Sequence, residues 1–391
     1  MSGGGERLST LDLLARLVAF DTESSRSNLA LIDSVCAYLD GWGVSHVRIP
    51  NEAGDKAAIF ATIGPQVDGG IVLSGHTDVV PVTGQAWTTD PFTLRVADGR
   101  AYGRGSVDMK GFCALALAAV PDMLAADLKR PIHILLSYDE ETTCLGVADT
   151  IARFGKDLPR PGAVIVGEPT DLDVADAHKS IVTYFTTVHG HEAHSAKPML
   201  GANAVMAAAE LVSELNRIAD AMIERGDVSG RFDPPSTTVH VGTISGGTAR
   251  NILPKVCTFH WEFRGLPDLD MAEIPALFAA KVETVLKDRL NRYGDYGRIE
   301  TIEEVAVPGL APEPGSEAER LALRVAGRNH TISVSYATEA GRFQKAGIPT
   351  VVCGPGSIDQ AHQPDEYITL AALEAGEAFM RRLISECVVT P

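Results

Sequence analysis

Four short apolar runs, Ile71-Val72-Leu73, Ile132 to Ser137, Ala163 to Val166 and Thr350 to Cys353, each lead into residues that can carry charge. Runs this short and bounded by turn residues read as strands buried on both faces, the kind found in open α/β sheets. The first leads into Ser74-Gly75-His76-Thr77-Asp78, the second into Asp139-Glu140-Glu141 and the third into Gly167-Glu168-Pro169. The fourth leads through Gly354-Pro355-Gly356 to Ala361-His362-Gln363-Pro364. Ligands of open α/β sheets bind beyond the carboxyl ends of the strands. The convergence of acids and histidines there predicts a helix-flanked central sheet with a polar site along one edge.

The rest of the chain is read around that sheet. Leu8, Leu11, Leu14, Leu17 and Val18 fall at helical spacing, with Ser9 or Thr10 as N-cap. A second helix is expected over 28–41, with strands near 44–49 and 57–63. Between about 180 and 303 the texture changes. Strands are predicted at Ile181–His189, Thr237–Ile244, Val256–Arg264 and near 300–305, with helices at 202–222 and 271–291. The order β-α-β-β-α-β is the ferredoxin-like pattern. Strands of the first domain flank it on both sides, so it reads as an inserted second domain over 180–303, the first being 1–179 with 304–391. Ser316 and Glu319 form a candidate capping box for a helix reaching about 328.

Charge narrows the partners. With 34 basic and 51 acidic residues among 391, the net charge of −17 argues against nucleic acid or an anionic membrane surface. No apolar run approaches the length of a membrane span. The start of the chain lacks the basic-then-apolar layout of a secretory signal. The six cysteines are scattered, with no C-x-x-C pair, as expected of reduced residues in a cytoplasmic protein.

The side chains at the strand ends suit metal chemistry. His76 and Asp78 lie two apart on extended backbone and so share a face, as a metal ligand and the carboxylate orienting it would. Asp108, before an Ala/Leu-rich helix, is placed either to cap that helix or to serve as a ligand. Three adjacent carboxylates at 139–141 are costly at a buried strand end unless something positive neutralises them. Taken as ligands, His76, Asp108, Glu141, Glu168 and His362 suit two metal ions sharing a carboxylate. An imidazole and carboxylate set without cysteine favours zinc or a similar first-row ion over calcium. Two such ions polarise a carbonyl and acidify a water. Glu140, adjacent to Glu141 but outside the ligand set, is the natural general base. The expected reaction is metal-assisted amide hydrolysis.

Ser-Gly-His-Thr-Asp-Val-Val-Pro from 74, Gly-Arg-Gly-Ser-Val-Asp-Met-Lys-Gly from 103, Asp-Glu-Glu-Thr from 139, Gly-Glu-Pro-Thr from 167 and Ala-His-Gln-Pro-Asp-Glu-Tyr from 361 occur in order along the chain. This ordered set resembles the M20 family of dinuclear zinc aminoacylases and carboxypeptidases, over essentially the whole chain. The resemblance implies a zinc-peptidase-like catalytic domain with a mixed sheet, and an insert that acts as lid and dimerisation domain of a homodimer. It implies two zinc or cobalt ions, with Asp108 bridging them, His76, Glu141, Glu168 and His362 completing them, Asp78 orienting His76 and Glu140 as base. Gly190-His191-Glu192-Ala193-His194 is similar to a family stretch whose histidine stabilises the oxyanion, a role that maps to His194. Asn251, in Gly246 to Pro254, matches an Asn that helps hold substrate. Arg250 beside it has the geometry to pair a substrate carboxylate. Thr338-Glu339-Ala340 and the segment from Gly354 to Glu366 look most like the family's acetylornithine-deacetylating branch. Glu339 then either faces the ammonium of such a substrate or accepts structural hydrogen bonds. Other N-acyl amino acids, succinylated diamino acids and dipeptides are the alternative small-molecule substrates.

Overall fold

The first helix begins where Ser9 Oγ accepts from Asp12 N and the Asp12 carboxylate accepts from Ser9 N, both at 3.1 Å. This reciprocal capping starts the helix Thr10–Val18, which buries Leu13, Leu14, Leu17 and Val18. The computed structural model describes residues 4–388. It divides into two units: one runs to Ala177 and includes Pro312–Ile332 and the chain from Thr338, and the other comprises His178–Ala311 and Ser333–Ala337.

The first unit is built on an eight-stranded sheet. Its order is Ser45–Pro50, Ala57–Ile63, Ile132–Ser137, Ile71–His76, Ala163–Pro169, Thr350–Gly354, Val174–His178 and Thr331–Val334. The four central strands, those expected from the apolar runs, are mutually parallel and wholly buried. Antiparallel neighbours at Ala57–Ile63 and Val174–His178 make the sheet mixed. Helices cover it, among them Leu29–Gly41, Lys110–Ala118 and Leu370–Val388. The helix Lys110–Ala118 lies close against the sheet because Gly167 leaves room for the Phe112 ring; a Cβ there would stand 2.1 Å from it. A small antiparallel sheet of Arg95–Ala97, Arg100–Tyr102 and Tyr367–Thr369 pairs Tyr102 with Tyr367. It thereby ties the chain before Asp108 to the chain after His362.

The second unit has an antiparallel sheet in the order Thr238–Gly246, Val256–Arg264, Ile181–His189 and Arg298–Val307, with the helices Ala204–Arg225 and Glu273–Val285. This is the β-α-β-β-α-β succession. Its core includes Val182, Tyr184, Val188, Leu211, Phe259, Trp261, Phe263 and Phe278. Trp261 stacks on Tyr184 at 4.3 Å and donates its indole N–H to Thr186 Oγ1 at 3.0 Å.

Boundaries and lengths differ from expectation in physical ways. The last strand, Arg298–Val307, extends beyond 300–305; a bulge between Glu303 and Val305 interrupts its two-residue alternation, and Glu300, Glu303 and Glu304 obscure the pattern in the sequence. Ser316 Oγ caps Glu319 N at 3.2 Å, but the Glu319 carboxylate accepts from Gly315 N at 3.1 Å rather than from Ser316. Among the described residues no helix is long and apolar enough to cross a membrane.

Candidate metal centre

Five strand-end and loop residues of the first unit converge. His76 closes the strand Ile71–His76 and Glu168 lies near the end of Ala163–Pro169. Glu141 follows Ile132–Ser137, Asp108 precedes the helix Lys110–Ala118, and His362 lies in the loop before Tyr367–Thr369. His76 Nε2 is 3.0 Å from Asp108 Oδ1 and 3.4 Å from Glu168 Oε1. His362 Nε2 is 3.1 Å from Asp108 Oδ2 and 3.0 Å from Glu141 Oε2. The two triads His76–Asp108–Glu168 and Asp108–Glu141–His362 share Asp108, which gives one carboxylate oxygen to each. The helix-cap alternative for Asp108 does not occur, since that helix has no side-chain cap.

The electrostatics of this cluster call for cations. The Asp78 main-chain oxygen lies 2.9 Å from His76 Nδ1 and can only accept, so Nδ1 carries a proton and Nε2 is turned toward two carboxylates. Glu168 Oε1 is buried and receives no hydrogen bond of good geometry. Burial and the Asp108 charge raise the Glu168 carboxyl to about 8 and the Glu141 carboxyl to about 7. Burial and the Glu168 charge hold Glu140 well above the ordinary carboxylate range. The hydrogen bonds that Asp108 and Glu141 accept from it push the His362 imidazole up to about 10. Two imidazole Nε2 atoms turned into a cluster of buried carboxylates, two of which burial and mutual repulsion raise, are what two divalent cations would satisfy, and the nitrogen and oxygen donor set fits them.

Around the cluster the structure assigns jobs that the sequence left open. Asp78 meets His76 in two ways. Its main-chain oxygen makes the close contact with His76 Nδ1, at 2.9 Å, while its carboxylate Oδ1 pairs with the same atom at 3.5 Å. The strand ends at His76, so strand alternation no longer dictates where Asp78 points. The Asp78 carboxylate also accepts from Ser24 Oγ at 2.7 Å and from the Glu140 and Glu141 amides at 3.2 and 3.3 Å. It thereby fixes the acidic turn. The three adjacent acids divide, because Asp139, at φ +55°, pairs with Lys56 while Glu140 and Glu141 enter the cluster. Glu140 Oε2 is 3.9 Å from His76 Nε2, and its Oε1 accepts a weak hydrogen bond from Cys144 Sγ at 3.4 Å.

Glu339 does not line an open pocket. It is buried, and its two oxygens accept from Ser74 Oγ at 2.6 Å and Ser137 Oγ at 2.8 Å, which braces two of the site-bearing strands. Of the two expectations for Glu339, the structural acceptor describes what is seen and the substrate-facing role does not. Arg104 and Glu366 carry no signal of their own in the sequence. Both are buried, and Arg104 Nη1 donates to Glu366 Oε2 at 2.7 Å. The same carboxylate accepts from the amides of Gly105, Val107 and Asp108 at 3.0, 3.0 and 3.2 Å.

The remaining candidates belong to the second unit. The His194 segment pairs with the loop that carries Arg250 and Asn251: Ser195 N donates to Asn251 O at 3.0 Å and Leu253 N to Ala193 O at 2.9 Å. His194 Nδ1 accepts from Ala196 N at 3.1 Å, whereas His191 stacks on Tyr296 with ring centres 5.1 Å apart. The structure thus brings His194, Arg250 and Asn251 into one loop pair.

Comparison with known proteins agrees in kind with this geometry. The sequence model of the peptidase family M20/M25/M40 matches residues 72–386. The acetylornithine deacetylase of Pasteurella multocida (strain Pm70) is 33% identical over 385 residues, covering 97% of this chain and 98% of that protein. That of Yersinia pestis is 35% identical over 374 residues, covering 94% and 92%. Among solved structures, the M20 family metallo-carboxypeptidase Sso-CP2 from Sulfolobus solfataricus superposes with a TM-score of 0.76 at 18% identity, covering 98% of this chain and all of that one. The aminopeptidase PepT from Bacillus cereus ATCC 10987 gives 0.75 at 19% identity, covering 97% and 98%.

Proposed function

We propose, from the premise that this chain belongs to the peptidase family M20/M25/M40 and is a metal-dependent hydrolase, that it removes the acetyl group from Nα-acetyl-L-ornithine. The products are L-ornithine and acetate, a step of arginine biosynthesis. The observation that carries the reading is the shared Asp108 carboxylate, one oxygen to each His-and-carboxylate triad. Full-length relatives at 33–35% identity that are acetylornithine deacetylases support the choice of acyl group and amino acid.

His76, Glu168, Asp108, Glu141 and His362 would hold two zinc or cobalt ions, which polarise the scissile carbonyl and acidify a water when bound. Glu140 takes the proton of the attacking water and hands it to the departing Nα amine. Its buried carboxyl, raised by its surroundings, is suited to both halves of that transfer. Asp78 keeps Glu140 and Glu141 in register through their amides. His194 stabilises the developing oxyanion, and Asn251 and Arg250 hold the substrate, its carboxylate against the guanidinium. The protein acts as a cytoplasmic homodimer joined through its second unit, a compartment consistent with its six unpaired cysteines.

The test is a comparison of initial rates of the zinc- or cobalt-loaded protein on Nα-acetylornithine, Nα-acetylmethionine, N-succinyl-diaminopimelate and a dipeptide. A kcat/KM highest for acetylornithine is the expected result. Preference for another member moves the substrate and overturns this assignment; no hydrolysis of any member by metal-loaded protein overturns the catalytic reading.

A further inference from the structure

The two histidines of the metal centre are held very differently. His76 is fully buried at a strand end, with Nδ1 against a main-chain oxygen. His362 has a side chain 53% exposed, sits at φ +62° in an irregular loop, and has no hydrogen-bond partner on Nδ1 among the described residues. Metal-binding imidazoles are normally fixed through their second nitrogen. Without such a brace, the direction of the His362 ring depends on how its backbone is held.

That backbone is held by Gln85, whose Nε2 donates to the His362 main-chain oxygen at 2.9 Å. The orientation of the Gln85 amide follows from its other end. Oε1 accepts from the Trp87 indole N–H at 3.0 Å and from Arg104 Nη2, and only an oxygen can face two such donors. The Arg104 guanidinium is the one that also binds Glu366, which accepts from the amide of Asp108. A continuous set of hydrogen bonds therefore joins the His362 loop to the Asp108 loop through Gln85 and Arg104. Thr88 adds a second tie across the same gap, from its main-chain N to Asp365 Oδ1 at 2.9 Å.

We propose that Gln85 is a positioning residue for His362: it fixes the histidine's backbone so that Nε2 meets Asp108 and Glu141, and so sets the affinity of the cation held by that triad. The proposal rests on the metal-centre reading given above. It concerns one of the two cations, because His76 and Glu168 take no support from Gln85.

Gln85→Glu is the discriminating variant. Glutamate keeps the shape and the acceptor for Arg104 and Trp87 but turns lone pairs, not a donor, toward the His362 carbonyl. Gln85→Leu removes both ends and controls for the added charge. The full-length, zinc-loaded protein is dialysed against buffers of graded free zinc set by a chelator, and zinc per chain is counted by elemental analysis alongside the melting temperature. In both variants one of two equivalents is expected to need at least about tenfold more free zinc for half-occupancy, the usual effect of losing an outer support. In Gln85→Glu the other equivalent and the metal-free melting temperature should stay at wild-type values, whereas Gln85→Leu, which also takes the Oε1 acceptor from Arg104 and Trp87, should melt lower in the metal-free state. Both equivalents retained at wild-type free zinc in either variant overturns the proposal. So does parallel loss of both equivalents with a lower melting temperature, which marks general destabilisation. A wild-type protein that fails to hold two equivalents overturns the metal-centre reading itself, before Gln85 is tested.

Discussion

Glu366→Gln tests how much of the metal centre is held by a residue that need not touch metal. Glu366 Oε2 accepts from Arg104 Nη1 and Gly105 N, and Oε1 accepts from Val107 N and Asp108 N. Glutamine matches the shape but replaces one oxygen with NH2. The remaining oxygen goes to Arg104 and Gly105, where the charged donor is, and the NH2 is then turned against the two amides of Val107 and Asp108. Leaving a buried donor unsatisfied costs about 1–3 kcal/mol, so the pair costs about 4 kcal/mol. That is a large fraction of the roughly 5–15 kcal/mol that stabilises a folded domain. For a unit of this size each kcal/mol is worth about 2–4 °C, so the first unit's calorimetric transition should fall by roughly 8–16 °C. The variant is expected to fold, with affinity for both zinc equivalents reduced about 10–100-fold because Asp108 serves both triads. A transition within about 2 °C of wild type, with both equivalents at native affinity, would refute the reasoning. It would mean that the loop from Gly105 to Asp108 is held by its own backbone and not by Glu366.

Three further outcomes are expected. Glu140→Gln should keep both metal equivalents while lowering kcat by about 10²–10⁴, as loss of a general base does; near-native turnover with metal bound removes Glu140 from that role. Glu339→Gln should lower the melting temperature, since one serine hydroxyl loses its acceptor, and leave KM for acetylornithine unchanged; a large rise in KM would restore Glu339 to the substrate pocket. His133 is stacked on Phe60 at 4.8 Å, and burial lowers its imidazole to about 4. Because the folded value lies below the unfolded one of about 6.5, the unfolded chain binds the extra proton between those limits, and stability falls as pH drops from about 6.5 toward 4. His133→Gln should flatten that decline by up to about 1.4 kcal/mol per pH unit in urea titrations of chelated protein, and an unchanged slope refutes the assignment.

What the sequence discloses here is local chemistry, and what it conceals is mostly who meets whom. The central strands are legible because a strand covered on both faces must be apolar at every position, and four of the proposed ligand residues are legible because each stands at or beyond the end of such a strand, whereas Asp108 stands before a helix. Ser9 is legible as a cap because the cap and its partner are three residues apart. Glu366 illustrates the opposite case. It is the second of two adjacent acids in a loop, with nothing beside it to mark its role, and its partner Arg104 lies 262 positions earlier, brought close only when Tyr102 pairs with Tyr367. Ser74, Ser137 and Glu339 are hidden in the same way, two hydroxyls on neighbouring strands meeting a carboxylate that begins a helix. The main-chain contact and the amide contacts of Asp78 are hidden for a different reason, since period-two reasoning holds on a strand and stops where the strand does. The residues that touch a reacting group are thus chosen for their own chemistry and carry it visibly. Those that hold them are chosen for a distance that exists only after folding, and Gln85, an ordinary amide in a turn-rich loop, is the limiting example: its function lies wholly in the two loops it joins.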